Sequence, residues 1–322
     1  MEQELALVLG AGGGIGGEVA RQLLRAGWRV RALSRRPPKD AQGIEWLQGD
    51  ALVGADVARA ARGCAIIVHA VNPPGYRNWA QQVVPMLRNT IAAAESSGTL
   101  VLLPGTVYNY GPDASPLVPE DAPQRPLTRK GALRVQMEDE LAAHAGRGGR
   151  VLIVRAGDYF GPHAGNNWFA QGLVKPGHVP AVIANPGRAG VGHQWAYLPD
   201  VAATMVALLA RRANLEPFAR FHFEGYWDED GEGMARAIRQ VAASHGIQAR
   251  ITRFPWWLVR LMAPFNTTMR ELLEMRYLWR EPLRLDNTRM VAVLGCEPRT
   301  PLMEAVERTL MGQGCLTTSS ES

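Results

Sequence analysis

The stretch Leu5-Ala6-Leu7-Val8-Leu9-Gly10-Ala11-Gly12-Gly13-Gly14-Ile15-Gly16 opens the chain with an apolar run followed by a glycine-rich turn. Its first five residues are typical of a buried strand. Ile15, Val19 and Leu23 then recur at the four-residue spacing of a helix, and Val30–Leu33 forms a second apolar run. We therefore predict a strand, a helix and a parallel second strand at the start of the chain.

The same alternation of short apolar runs and helical patterns continues through the first half of the chain. We predict further strands at Ile66–Ala70, Leu100–Leu103 and Val151–Arg155. The predicted fold class is α/β, a Rossmann-type doubly wound parallel sheet with a smaller, mostly helical C-terminal substrate-binding region. We assign residues 1–155, completed by about 195–225, to the Rossmann domain, 156–194 and 226–311 to the substrate-binding region, and 312–322 to a disordered tail.

The composition is that of an ordinary globular protein, with 47% hydrophobic residues and a formal net charge of +5. Its arginines are scattered, so no basic run favours a nucleic-acid partner. Cys64, Cys296 and Cys315 lie far apart, which predicts neither a disulfide framework nor a metal site. The chain enters a strand almost at once, so we expect no secretory signal and a cytoplasmic location.

The most apolar late segment is Phe254–Phe265, which contains Arg260. It is shorter than the roughly 20 residues that span a bilayer, so we expect no membrane span. We interpret it as a buried helix, with contact to a membrane surface or a partner protein as the alternative.

The glycine spacing predicts a dinucleotide site. Gly10 permits a tight turn, Gly13 lets the backbone approach a pyrophosphate, and Gly16 allows the helix to pack closely on the strand. The start of the helix offers free N–H groups and a positive dipole end to phosphates. The residues that we assign to this loop are Gly10, Gly12, Gly13, Gly14, Ile15 and Gly16.

The end of the second strand indicates which dinucleotide is bound. Proteins that select NAD place an acidic residue there, whereas this chain has Ser34, Arg35 and Arg36. A guanidinium pairs with a 2′-phosphate in a forked geometry, so we predict NADP, with Arg35 as the principal contact and Arg36 as the secondary one. NAD remains the alternative, as does a solvated basic turn.

The chain resembles the extended short-chain dehydrogenase/reductase superfamily, in its NAD-dependent epimerase/dehydratase branch. Ordered matches carry the resemblance: the glycine loop, Gly49-Asp50, His69-Ala70, Asn89, Arg155-x-x-Asp158-x-x-Gly161-Pro162 and Asp200-Val201-Ala202. The resemblance implies cofactor contacts at Asp50, Ala51, His69, Ala70, Val71 and Asn89. Asp50 could accept a hydrogen bond from the adenine amino group, or it could be an ordinary turn aspartate.

The catalytic set of that family is a Ser or Thr, followed on the next helix by Tyr-x-x-x-Lys. Thr106 fits the hydroxyl position. Alignment of the helix on Glu138 places Lys130 at the tyrosine and Arg134 at the lysine, so the usual pair is missing.

Several interpretations of this replacement stay open. Lys130 could move the proton if the positive charge of Arg134 or of oxidised nicotinamide favoured its release, or it could only bind ribose hydroxyls or an anionic substrate. Arg134 could instead form an exposed pair with Glu138. Tyr108 could be the acid/base if the extended strand geometry continued beyond Thr106, or it could be a packed aromatic residue.

Polar groups and aromatic rings alternate in two later loops, as in a pocket that orients a small ligand. The candidate substrate residues are Asp158, Tyr159, His163, Asn167, Trp168 and Trp195. Asp158 replaces the Asn of the family motif and would repel the phosphates of a nucleotide-sugar. We interpret His163 and His193 as hydrogen-bonded structural residues rather than metal ligands, with a position in the pocket as the alternative for either.

The sequence thus predicts an NADP-preferring oxidoreductase or epimerase-like protein acting on a hydroxyl or carbonyl group. Its expected partner is a small-molecule substrate, and a homodimer is left open. The alternative is a non-catalytic redox sensor resembling NmrA-like proteins, which keep the cofactor loop and lack the catalytic pair.

Overall fold

The structure, a computed structural model, describes residues 3–73, 79–114, 116–165 and 167–316. The strands in chain order are β1 (Leu5–Leu9), β2 (Arg29–Ser34), β3 (Ile44–Gln48), β4 (Ile66–His69), β5 (Leu100–Thr106), β6 (Leu117–Val118), β7 (Val151–Ala156), β8 (Asp158–Phe160), β9 (Val182–Asn185), β10 (His193–Tyr197), β11 (Phe218–Phe223), β12 (Tyr226–Asp228), β13 (Arg250–Arg253) and β14 (Arg284–Leu285). The helices are α1 (Gly14–Arg25), α2 (Gly54–Ala61), α3 (Trp79–Ser97), α4 (Arg129–Gly146), α5 (Leu198–Ala210), α6 (Gly233–Ser244), α7 (Trp256–Met262), α8 (Thr267–Glu274), α9 (Thr288–Leu294) and α10 (Leu302–Gly312).

A seven-stranded sheet with the order β11-β7-β5-β4-β1-β2-β3 organises the molecule, and its neighbouring strands are all parallel. The chain runs outward from β1 to β3, returns to β4 and continues in the other direction. Ligands of doubly wound folds bind where the strand order reverses, at the carboxyl ends of the strands. In this sheet that point lies between β1 and β4.

Helices cover both faces of the sheet, which confirms the predicted fold class. Side chains of α1 and α5, including Val19, Leu23 and Met205, pack in one core. Side chains of α3 and α4, including Leu87 and Leu141, pack in the other. Every residue of β1, β4 and β7 is buried, as expected for parallel strands covered twice.

The predicted strands agree with the observed ones within a few residues, and Leu5–Leu9 agrees at both ends. The sequence analysis did not predict β3, an edge strand of mixed exposure whose Glu45 and Gln48 are exposed. Its apolar pattern is weak because an edge strand needs less burial.

The C-terminal region has its own core around a three-stranded sheet of order β12-β10-β8. Phe160 and Trp195 pack edge to face there, with ring centres 6.3 Å apart. The predicted tail from Gly312 is wrong for its first residues, because α10 extends to Gly312 and Cys315 is 2% exposed against this core. Residues 317–322 lie outside the described residues.

A buried ion pair joins the sheet to α4. The Arg155 guanidinium on β7 is fully buried and donates to both carboxylate oxygens of Glu138, through Nε at 2.9 Å and Nη2 at 2.5 Å. Asn109 Nδ2 also donates to Glu138 Oε1 at 2.8 Å. The expected exposed pair of Arg134 with Glu138 is therefore wrong, because Glu138 is 3% exposed and bonds inward.

The third nitrogen of the same guanidinium contacts three further buried groups, one of which is the Glu120 carbonyl at 3.1 Å. Arg155 Nη1 donates to the Tyr110 hydroxyl at 2.6 Å and lies 3.0 Å from His222 Nε2. His222 Nδ1 lies 3.1 Å from the Val118 carbonyl, so the ring donates there and accepts at Nε2. Burial, with the charge of Arg155, lowers the pKa of His222 to about 3, which is consistent with a neutral ring.

We expect Glu138→Gln to lower the free energy of unfolding by about 3–5 kcal/mol, because it leaves the buried guanidinium of Arg155 without its counter-charge. Urea unfolding followed by circular dichroism measures this change. The matched control is Glu140→Gln on the same helix, whose partner Arg88 has a side chain 63% exposed and stays hydrated when the pair is lost. Equal shifts for the two variants would contradict the central role of the buried pair.

Candidate active site

The glycine loop lies at the reversal of the strand order and packs tightly on the end of β4. Gly10 has a φ of +91°, and a Cβ atom there would lie 2.5 Å from the Ala70 carbonyl oxygen. A Cβ atom at Gly16 would lie 2.2 Å from the Gly10 carbonyl oxygen. Side chains are excluded at both positions, so the loop holds α1 close against β1 and β4.

The opposite side of the loop is open. A Cβ atom built at Gly12 meets no heavy atom within 4 Å, and Gly12 and Gly13 are exposed. Gly13 caps α1 without a side-chain hydrogen bond, which leaves N–H groups of the first turn available to an anion. These features fit the pyrophosphate of a dinucleotide.

The basic residues after β2 stand beside this loop. Leu33 pairs with Leu9 in the parallel β1–β2 ladder, so Ser34 and Arg35 follow at the level of Gly10. Arg35 and Arg36 are exposed, and the Arg36 N–H donates to Ser34 Oγ at 3.2 Å. Both arginines thus lie at the edge of the candidate cofactor cleft.

The turn beyond β3 contains Asp50 and Ala51 and is hydrogen-bonded to Asn89 on α3. Asp50 Oδ1 accepts from the Leu52 N–H at 3.0 Å, so one carboxylate oxygen serves the turn. Asn89 Nδ2 donates to the Ala51 carbonyl at 2.9 Å. Asn89 therefore holds the turn from α3.

His69 supports the loop from inside the protein. Thr90 Oγ1 lies 2.8 Å from His69 Nδ1 and itself donates to the Met86 carbonyl, so the histidine ring donates through Nδ1. Burial, with the positive charge of Arg134, lowers the pKa of His69 to about 3. The neutral ring is 2% exposed, whereas Ala70 and Val71 next to it are half-buried at the crevice.

Thr106 ends β5 and begins a 3₁₀ turn over Val107–Asn109. Its Oγ1 accepts from the Tyr108 N–H at 3.4 Å and so caps the turn. The strand geometry therefore stops at Thr106, so the extended backbone that would place Tyr108 on the same side as Thr106 is not present. Both side chains are half-buried at the carboxyl edge of the sheet.

The turn brings Tyr108 to a buried acid–histidine pair. The Tyr108 hydroxyl donates to Asp158 Oδ1 at 3.3 Å, and Asp158 Oδ2 lies 3.0 Å from His193 Nε2. His193 Nδ1 lies 3.1 Å from the Leu278 carbonyl, and its ring stacks on Trp279 with centres 3.7 Å apart. Asp158 and His193 are each 5% exposed.

The histidine of this pair faces a hydrogen-bond acceptor on each side. The Leu278 carbonyl and the Asp158 carboxylate therefore fix both ring nitrogens of His193 and with them the orientation of the ring. The sequence analysis treated His193 as structural; the pairing of β8 with β10, which aligns Asp158 with Trp195, brings it to the site.

Helix α4 places Lys130 next to the same turn. A Cβ atom at Gly131 would lie 2.2 Å from the Tyr108 carbonyl oxygen, so the helix approaches the turn very closely there. Lys130 is 6% exposed, and its Nζ lies 2.8 Å from Glu271 Oε2 on α8. Any proton transfer by Lys130 would have to disturb this ion pair.

Arg134 lies one helical turn further along and is half-buried. The positive charge of Arg134 lowers the pKa of His69, as described above. Burial raises the pKa of Tyr159, and the charge of Arg134 opposes that rise.

The other predicted substrate residues do not converge on Tyr108. Tyr159 donates to the Gly105 carbonyl at 3.0 Å, and the Asn167 amide bonds to the backbone of Ala164 and Ala170. His163 is exposed. Trp168 and Trp195 are 6% and 1% exposed and pack in the C-terminal core, where the centre of the Trp195 ring lies 5.0 Å from that of His193.

A family model described as the NAD dependent epimerase/dehydratase family matches residues 6–222, about two thirds of the 322-residue chain. Among curated proteins, an acetoacetyl-CoA reductase of Acinetobacter sp. (strain RA3849) is 43% identical over 56 residues, which are 17% of this chain and 22% of that protein. This chain therefore matches only about a fifth of the length of that relative.

Solved structures of similar fold align with nearly the whole chain. MoeE5 in complex with UDP-glucose and NAD is 18% identical, with a TM-score of 0.73 and coverage of 96% of this chain and 98% of that one. The UDP-glucose 4-epimerase of Thermotoga maritima, with UDP-glucose, is 15% identical, with a TM-score of 0.73 and coverage of 96% and 98%. The Bordetella bronchiseptica enzyme WbmH with NAD+ is 17% identical, with a TM-score of 0.71 and coverage of 97% and 98%.

We expect Gly12→Ala to weaken dinucleotide binding without changing the melting temperature, because the added methyl group meets only the space that a pyrophosphate would fill. Gly16→Ala should lower both the dinucleotide affinity and the melting temperature, because the added Cβ atom collides with the Gly10 carbonyl. Fluorescence titration and thermal unfolding measure the two properties.

Gly146→Ala is the control, because a Cβ atom at Gly146 also meets no heavy atom within 4 Å. Gly146 is the last residue of α4 and lies away from the glycine loop. Unchanged dinucleotide affinity in Gly12→Ala would argue against this placement of the pyrophosphate.

Proposed function

The chain belongs to the NAD dependent epimerase/dehydratase family, and from that premise we propose that it is an enzyme acting on a hydroxyl or carbonyl group of a small organic substrate. A nicotinamide dinucleotide is the cofactor class of this family. One observation carries the proposal for this chain: Thr106, Tyr108 and Asp158 lie at the carboxyl edge of the sheet whose first strand ends in the glycine loop. A polar set at that edge is suited to act on a ligand bound beside the loop.

NADP is the preferred dinucleotide in this proposal. Arg35 and Arg36 are exposed beside Gly10, and Ser34 occupies the position where an acidic residue would favour NAD. A guanidinium at this rim can pair with the 2′-phosphate that distinguishes NADP.

A nicotinamide dinucleotide held by the glycine loop would supply the hydride acceptor or donor for a substrate C–H bond. The chain must then handle the proton of the substrate O–H group. In the oxidising direction, the Tyr108 hydroxyl receives this proton from the substrate while it passes its own proton to Asp158 Oδ1. In the reducing direction, the proton returns from Asp158 through Tyr108 to the carbonyl oxygen.

His193 is a positioning residue in this scheme. Its ring, held at Nδ1 by the Leu278 carbonyl, fixes Asp158 Oδ2 and so keeps Oδ1 directed towards the Tyr108 hydroxyl. An anionic Asp158 also repels phosphate, so a substrate without phosphate groups near the reacting carbon suits this site better than a nucleotide-sugar.

Thr106, Lys130 and Arg134 have binding roles in this proposal. The Thr106 hydroxyl orients the substrate oxygen, and Arg134 sets the positive charge at the sheet edge. Lys130, paired with Glu271, binds ribose or substrate oxygens without transferring a proton.

The rival function is a redox sensor that binds the dinucleotide without turnover. The Lys130–Glu271 ion pair favours it, because a lysine so paired does not replace the proton-transferring tyrosine of the family. The two functions differ in whether any hydride transfer occurs.

Arg35→Ala should weaken NADPH binding about tenfold or more and leave NADH binding nearly unchanged, because a charge-assisted bond to the 2′-phosphate is lost. Fluorescence titration of both nucleotides measures this difference. Arg25→Ala is the control, since Arg25 is an exposed arginine at the far end of α1. Equal NADPH and NADH affinities that Arg35→Ala does not alter would refute the proposed preference.

For the reaction itself, a panel of phosphate-free hydroxy and oxo compounds is screened for absorbance change with NADP+ or NADPH. We expect Tyr108→Phe to lower kcat by about 10²–10⁴-fold with unchanged dinucleotide affinity, because the proton path is cut. Lys130→Met should mainly raise KM.

Tyr226→Phe is the matched control, since that hydroxyl bonds to the Thr300 carbonyl outside the proposed proton path. Full activity in Tyr108→Phe would remove Tyr108 from the chemistry. No turnover with any compound, together with partner binding that depends on the cofactor's redox state, would favour the sensor.

A further inference from the structure

Helix α7 and the residues after it expose a continuous apolar surface. Its members, called here the α7 face, are Trp257 (69% exposed), Leu258 (41%), Leu261 (62%), Met262 (42%) and Phe265 (86%). Their spacing puts them on one side of a helix, while Val259 and Ala263 on the other side are 4% and 8% exposed. The expectation that Phe254–Phe265 is a buried helix is therefore wrong for this side.

Arginines surround the α7 face. Arg253, Arg260 and Arg280 are exposed, and the Arg276 guanidinium lies 5.0 Å from the ring centre of Trp256. Burial, together with the charges of Arg280 and Arg260, lowers the pKa of Arg276, so these groups lie close enough to act on one another.

The nearest acidic residues on α8 are used elsewhere. Glu271 pairs with Lys130, and Glu274 Oε1 accepts from the Arg129 N–H at 2.5 Å at the start of α4. Their charges are thus directed towards α4. Glu281, next to Arg280, is also exposed, but the four arginines outnumber it around the α7 face.

We infer that the α7 face binds the headgroup region of an anionic lipid bilayer. A tryptophan with aliphatic and phenylalanine neighbours suits the boundary between headgroups and acyl chains, and the flanking arginines suit anionic lipid. The exposed side chains lie along one side of a short helix, an arrangement that fits a broad bilayer surface. Among the described residues, no helix is long and apolar enough to cross a membrane, so the contact is peripheral.

The test is flotation of the full chain with vesicles of phosphatidylcholine alone or mixed with phosphatidylglycerol. We expect binding to the mixed vesicles to be about tenfold stronger than to phosphatidylcholine alone and to weaken as salt is added. The double variant Trp257→Ser/Leu261→Ser should lose this binding, because it removes two of the most exposed apolar groups. Arg260→Ser/Arg280→Ser should reduce binding to the mixed vesicles alone.

The matched control is Val179→Ser, which removes an apolar side chain that is 62% exposed and does not belong to the α7 face. It should bind like the wild type, and unchanged melting temperatures would show that the α7 variants are folded. Failure to float with either vesicle, or equal binding to both, would overturn the inference. A dimer in light scattering that Trp257→Ser/Leu261→Ser converts to a monomer would also overturn it, since a second copy would then cover the α7 face.

Discussion

The buried ion pair between Arg155 and Glu138 is the constraint on which the rest of the arrangement depends. It fixes α4 against β7, and through Asn109 it also fixes the turn that carries Tyr108. The desolvation of two charges is costly, and here it is offset by a bidentate contact and further hydrogen bonds to both partners. Lys130 and Arg134, which the sequence analysis placed at the positions of the family's Tyr-x-x-x-Lys, therefore lie on a helix whose position is set by a contact outside the candidate site.

Much of the fold could be predicted from the sequence because its signals are local. The fully buried strands read as unbroken apolar runs, and the glycine spacing at Gly10 and Gly16 reflects contacts within a few residues. The partner of Glu138 could not be predicted in this way. Arg134 is its neighbour along the helix, but Arg155 lies on a strand that reaches it only in the folded sheet.

The candidate site, like the fold, could be predicted from the sequence only where its signals are local. Thr106, Tyr108 and Asp158 could each be selected from their place in an ordered motif, but their geometry depended on contacts that the motif does not contain. The Thr106 hydroxyl caps a turn and so redirects Tyr108. His193 became part of the site only through the alignment of β8 with β10, two short strands with no local signal of their pairing.

Helix α8 connects the α7 face on the outer surface with the start of α4 at the candidate site. It packs beside α7, and its Glu271 and Glu274 hold the start of α4 at Lys130. A ligand that competes with Glu271 for Lys130 would alter the support of α8 and therefore the α7 face. Thermodynamic reciprocity then requires that occupation of the α7 face alter the affinity of that ligand by the same factor, so the outer surface and the interior cleft would share one coupling free energy.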